Sequence, residues 1–121
     1  MRIAVVGSRN YKKRRIVEFT LSRLFAEGDE LISGGAAGVD TWAADWADEH
    51  GYESTIFKAE WDLYGKAAGM LRNTDIVTSC DILIAFWDGK SKGTMDSYKK
   101  AQKQKKVTML CVWKDDEGTS V

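Results

Sequence analysis

The chain has 121 residues, 44% of them hydrophobic and 30% charged, with 18 basic against 18 acidic residues and no formal net charge. That length suits one domain with a real core, and the charge balance argues against a bulk electrostatic nucleic-acid binder. Cys80 and Cys111 sit in or beside apolar runs without metal-ligand spacing, so both read as reduced core residues of a cytoplasmic protein. Met1 leads straight into an apolar strand, which leaves no space for a signal peptide. No apolar run nears the roughly 20 residues needed to span a bilayer, so a membrane partner is not expected.

Residues 2–7 read as a first strand ending on Gly7, where a backbone can approach a ligand closely. Residues 11–26 carry Ile16, Val17, Thr20, Leu21, Leu24 and Phe25 at helical spacing, and Gly28 stops that helix. A second strand, residues 30–33, runs into the loop Ser33-Gly34-Gly35-Ala36-Ala37-Gly38. Val39, Trp42, Ala43, Trp46 and Ala47 form the inner stripe of the next helix, closed by His50 and Gly51. Residues 52–58 alternate as a third strand, and residues 61–65 read as a loop or short turn. A third helix over residues 66–79 takes Ala67, Met70, Leu71, Thr74 and Val77 as its stripe. Residues 81–87 form a fourth, fully buried strand, followed by the loop Asp88-Gly89-Lys90-Ser91-Lys92-Gly93 and a helix capped by Thr94 that reaches about Lys106. Residues 107–112 are the last strand of a domain spanning residues 1–113, and residues 114–121 are a polar tail.

Strands alternating with helices predict a single α/β Rossmann-like domain, a five-stranded parallel sheet with helices on both faces. Ligands of such sheets bind beyond the carboxyl ends of the strands, where the strand order reverses. With the first strand central, that crevice lies between the first and fourth strands. Three glycine-bearing loops then share one edge, and their helix starts favour an anion such as phosphate. The candidate ligand contacts are Gly7, Ser8, Arg9, Ser33, Gly34, Gly35, Gly38, Asp40, Arg72, Trp87, Asp88, Gly89, Ser91, Gly93 and Thr94. Serine and threonine hydroxyls and arginine guanidinium groups bind phosphate, Asp40 suits a ribose hydroxyl, and Trp87 or Trp61 suits a base.

Gly7-Ser8-Arg9, Ser33-Gly34-Gly35-Ala36-Ala37-Gly38-Val39-Asp40, the segment from Lys66 to Asn73 and the segment from Phe86 to Thr94 together resemble the YspA-like branch of the SLOG superfamily. This resemblance to Rossmann-like domains of bacteria and their phages implies binding of a nucleotide or nucleotide-derived ligand, often as a sensor. The superfamily also holds the LOG phosphoribohydrolases, which cut the N-glycosidic bond of nucleoside monophosphates. On that comparison Arg72 takes the place of the family's helix arginine and Gly93-Thr94 that of its Gly-Thr. The place of its glutamate falls on Ser97, with Asp96 adjacent, so Arg72 and Asp96 are the catalytic candidates if the chain hydrolyses its ligand.

The expected partner is therefore a small nucleotide-derived molecule of adenine or ADP-ribose type, sensed or sequestered by a protein that self-associates. N-glycosidic hydrolysis is one alternative and single-stranded nucleic-acid binding through the lysines of residues 99–106 is another. Nucleic acid is nonetheless the less expected partner, because those lysines and Lys12 to Arg15 read as solvated faces. No P-loop, metal-ligand cluster or serine–histidine pair occurs, so neither a cofactor nor a metal is expected.

Overall fold

The computed structural model describes residues 1–114; the rest of the predicted tail, residues 115–121, lies outside the described residues. Five strands are formed, β1 (Arg2–Gly7), β2 (Glu30–Ser33), β3 (Glu53–Ile56), β4 (Ile82–Trp87) and β5 (Val107–Val112). Between them run α1 (Arg14–Leu24), α2 (Val39–Glu49), the one-turn α3 (Trp61–Tyr64), α4 (Ala68–Ser79) and α5 (Lys92–Lys103). All pairs are parallel, in the order β3-β2-β1-β4-β5. The expected five-stranded parallel sheet is therefore present, and the order reverses between β1 and β4 as its connectivity requires.

Both faces of the sheet are covered, which is why β1 and β4 read as unbroken apolar runs. Ile3, Val5, Ile84 and Phe86 pack beneath α1 and α2, against Val17, Leu21, Val39, Ala43 and Trp46. Ala4, Val6, Leu83 and Ala85 face Ile76 and Val77 of α4 and Ala101 of α5. Full burial of each large side chain here stabilises by roughly 1.5–3 kcal/mol.

Three details depart from the sequence reading. The first helix starts at Arg14, not residue 11, because Tyr11 turns inward and packs edge-on to Phe86 at 5.5 Å between ring centroids. On α4 the inward positions belong to Ala68, Asn73, Ile76 and Val77, while Met70 and Leu71 of the predicted stripe are 53% and 44% exposed. A polar asparagine occupies core space there, so the apolar residues are displaced to the outside. Finally, Ser91 and not Thr94 caps α5, its Oγ accepting from the Thr94 N–H at 3.3 Å.

Candidate functional site

A cleft of about 500 Å³ opens at the carboxyl ends of β1 and β4, where the topology switches. Val6 and Ile76 supply apolar floor, Ser97 and Thr94 polar floor, and Arg9, Lys66, Arg72 and Lys90 the cationic lining. Among the described residues none of these four cations lies within ion-pair distance of a carboxylate. The N–H groups of Lys92 and Gly93, first in α5, have no carbonyl partner within the helix.

Beneath the cleft, β1 is tied to the α5 entrance by hydroxyls. Ser8, fully buried, places its Oγ 3.2 Å from Thr94 Oγ1 and accepts the Asp88 N–H at 3.2 Å. Thr94 Oγ1 lies 3.1 Å from Ser91 Oγ, completing the chain of hydroxyls. Asp88 folds the loop on itself, its Oδ1 accepting the N–H groups of Lys90 and Ser91 at 2.8 Å each. Partial burial acts to raise its carboxyl pKa, but those N–H groups outweigh it and hold the group below its ordinary range.

A second network joins the β2 loop to α4 and α5. Arg72 donates through Nη1 to Gly34 O at 2.8 Å and through Nε to Asn73 Oδ1 at 3.1 Å. Asn73 Nδ2 in turn reaches Gly93 O at 3.3 Å and Asp96 Oδ2 at 3.1 Å, so both its N–H groups and one lone pair of its carbonyl oxygen are engaged. Asp96 is also held by Lys100 Nζ at 2.9 Å. These bonds fix the guanidinium plane while its remaining edge borders the cleft. Gly34 has to be glycine: a Cβ there would lie 2.8 Å from Arg72 Nη1 and 3.0 Å from Asp40 Oδ2.

Asp40 is the one anomaly. Its Oδ2 accepts the Ala36 N–H at 3.1 Å, but Oδ1 is buried with no partner among the described residues. Loss of solvent pushes its carboxyl from 3.8 up to about 6, against the pull of the Ala36 N–H and the nearby Arg72 charge. A buried acceptor left unmade costs about 1–3 kcal/mol and calls for a donor.

A family model described as YspA, cpYpsA-related SLOG family matches residues 1–64, more than half of the sequence. The chain belongs to this SLOG family. It is 35% identical over 111 residues to the Gene 61 protein of Mycobacterium phage D29, covering 84% of this chain and 89% of that protein. Its fold superposes on DNA processing protein A (DprA) of Streptococcus pneumoniae with a TM-score of 0.76, at 23% identity over 90% of this chain and 49% of that one. DNA processing protein A of Helicobacter pylori, described for its single-stranded DNA binding mode, gives 0.73 at 21% identity, over 91% of this SLOG chain and 64% of that one. The SLOG chain thus spans about half of one of these structures and under two thirds of the other.

These relations correct one expectation. Zero net charge was read against nucleic acid as a partner, yet a protein with this fold has a single-stranded DNA binding mode. The inference failed because net charge sums over the molecule and does not register a local cluster such as Arg9, Lys66, Arg72 and Lys90 around one cleft.

Of the residues named from sequence, Gly7, Arg9, Asp40, Arg72, Asp88, Ser91, Gly93 and Thr94 line the cleft, and Ser8 lies directly beneath it. Trp61, named beside Trp87 as a base contact, lines the cleft too, whereas Ser33, Gly34, Gly35, Gly38, Trp87 and Gly89 do not. Ser33 donates to Val5 O at 2.9 Å within the sheet, and Gly35 and Gly38 shape the β2 loop behind the lining. Trp87 turns its indole N–H to Ser91 O at 3.0 Å, which makes it a brace for the loop rather than a base platform. Gly89 borders a neighbouring hollow. Gly7 admits Val39, whose Cβ would lie 2.4 Å from an added methyl, so its lack of a side chain serves packing. Asp96 is held on the flank by Asn73 and Lys100, and Ser97 takes the place inside the cleft. The sequence reading missed Asn10, Ala36 and Gly69 in the lining. Asn10 follows Gly7-Ser8-Arg9 directly, and its place in that loop was the available signal. No group of three or more potential metal ligands occurs among the described residues, and His50, the single histidine, sits at the far end of α2.

Proposed function

We propose that the cleft binds nucleotide units of a single-stranded nucleic acid, phosphate to its cations and base to the face of Trp61. One observation carries this reading. Four cations without a carboxylate in ion-pair distance among the described residues line a groove whose wall includes Trp61, an indole that is 56% exposed although it is the largest kind of side chain. Strand binders that ignore sequence combine such a cationic track with an aromatic face, since every base can stack. Arg9 and Arg72 take phosphate oxygens, Lys66 and Lys90 supply point charges, and the free N–H groups of Lys92 and Gly93 complete an anion seat. The single-stranded DNA binding mode of the Helicobacter pylori protein supports the same use of this fold.

A second reading, a free ribonucleotide-derived ligand, is supported by Asp40. Its unpartnered Oδ1 lacks a donor of the kind a ribose hydroxyl supplies. Hydrolysis of an N-glycosidic bond by Arg72 and Asp96 has weaker support, since the Asp96 carboxylate is already engaged and a serine stands in the cleft.

Titration with oligothymidylate and with AMP and ADP-ribose at several salt concentrations tests the choice. Oligothymidylate binding that weakens steeply with salt, and weakens a further fivefold or more in Trp61→Ala, is the expected result. Binding of ADP-ribose alone, with little salt dependence, transfers the conclusion to the second reading.

A further inference from the structure

Beside the cleft, toward β5, lies a second hollow of about 610 Å³. Asn10, Asp88 and Lys90 line both, so the two are continuous around the β4–α5 loop. The far wall is built by Trp113 and Lys114, which follow β5. Trp113 is fixed by its backbone N–H, which donates to Trp87 O at 2.9 Å and extends the β4–β5 ladder. Lys13 places its ammonium 4.4 Å from the centre of the Trp113 ring, inside cation–π range. The stem of Lys114 crosses Gly89, whose φ of +86° and missing Cβ make the space; an added methyl would lie 2.7 Å from Lys114 Cε. Gly89 therefore seats a lysine at the rim of this hollow, which accounts for a glycine that the first cleft does not use.

We infer that this hollow is a second nucleotide subsite, so that the ligand is an oligonucleotide lying across both hollows rather than a mononucleotide. The inference rests on the nucleotide-binding reading of the first cleft. Each hollow is within the size range of a small-molecule site. Among the described residues Asp88 is the single carboxylate lining the second, and its Oδ1 is already turned to two backbone N–H groups. What remains for a ligand is ammonium charge and an indole, the same pairing that Trp61 and Lys66 present in the first cleft. Trp61 comes from the segment after β3 and Trp113 from that after β5, the two outer strands. Four strand spacings of ~4.8 Å, about 19 Å of sheet edge, separate those strands. One nucleotide does not cover that edge, whereas a short strand does. Occupying two linked subsites makes the second contact intramolecular and raises affinity with each added unit.

Calorimetric titration of the intact chain with thymidine 5′-phosphate, its dimer and its trimer tests this. The trimer is expected to bind at least about tenfold tighter than the monomer, with a salt slope steeper by about 0.7 for each added phosphate. Lys114→Glu and Trp113→Ala are surface changes whose folding is checked by circular dichroism. Each is expected to leave monomer binding unchanged and to cut the gain of the trimer below about threefold. Equal affinity for monomer and trimer overturns the second subsite alone, as does a gain that survives in both variants. Failure of monomer and trimer alike to bind overturns the nucleotide reading together with it.

Discussion

The two edges of the sheet handle charge in opposite ways. At the amino end, acid and base cancel locally: the Met1 ammonium meets Asp29 at 2.9 Å and Arg2 meets Glu30 at 3.2 Å. Nearby, Trp46 stacks on Tyr52 and His50 with Phe25 set edge-on, and His50 and Tyr52 border a hollow of about 710 Å³ in which the ionic groups of Met1, Arg2, Asp29 and Glu30 are already paired with one another. At the carboxyl end, Asp88 and Asp40 accept backbone N–H groups instead, and among the described residues Arg9, Lys66, Arg72 and Lys90 of the cleft have no carboxylate within ion-pair distance. Which partner a carboxylate takes thus helps set how much cationic charge an edge leaves unpaired. A balanced composition is compatible with both edges.

The largest expected effect tests the buried carboxylate. Asp40 titrates near 6 in the folded chain against an ordinary 3.8, so the native state retains a proton that the unfolded state has released. Its contribution is fully favourable below about pH 4, declines as pH rises through 6, and by pH 8 amounts to a cost of about 3 kcal/mol at 1.36 kcal/mol per unit. Asp40→Asn keeps an acceptor for the Ala36 N–H and removes the charge. Urea unfolding across pH 4–8 is expected to show the variant gaining on the native chain as pH rises. A constant difference over that range refutes the assignment.

Next comes Arg72. Arg72→Ala removes a charge-assisted contact of about 1.5–3 kcal/mol and should weaken nucleotide or oligonucleotide binding by ten- to a hundredfold. Arg72→Lys is expected to recover little of this, because one ammonium cannot reproduce the fixed fork that reaches Gly34 O and Asn73 Oδ1 together. Full recovery in the lysine variant would reduce Arg72 to a point charge.

A smaller effect is expected of Asn73→Ala. It strips three hydrogen bonds at 7% exposure and is expected to lower stability by about 1–3 kcal/mol, while binding falls because the arginine loses its orientation. Thermal melts and titration of the same sample separate the two consequences. Smallest of all is Asp29→Asn at the opposite edge. The Ala26 N–H and the Met1 ammonium hold this surface, partly covered carboxyl below its ordinary range, and because the ammonium partner is solvent-exposed, removing the charge costs about 1 kcal/mol or less and should leave binding unchanged. A change in binding there would dissolve the contrast between the edges.

The sequence made the sheet legible because β1 and β4 carry their pattern without interruption, and the switch point follows from connectivity alone. It made α4 illegible for a physical reason. A hydrophobic stripe assigns polar residues outward, but Asn73 is buried in a satisfied network that links three elements, and Met70 and Leu71 are rotated into solvent. Between Trp87 and Trp61 the sequence left the base contact open: the indole N–H of Trp87 braces Ser91 O, while Trp61, in an irregular connection, lines the cleft. Spacing reports which residues are near an edge; only hydrogen-bond partners reveal which of them are already occupied.

The register of β1 against β4 has a consequence for how this protein is made. Gly7 pairs with Phe86, so most of the chain must leave the ribosome before the central strand acquires its second neighbour. Until that pairing forms, Ser8 has no Thr94 opposite it and no groove exists. On the proposed function, a chain cut anywhere ahead of β4 lacks this groove and is expected not to bind, because the site needs a long-range pairing of the fold.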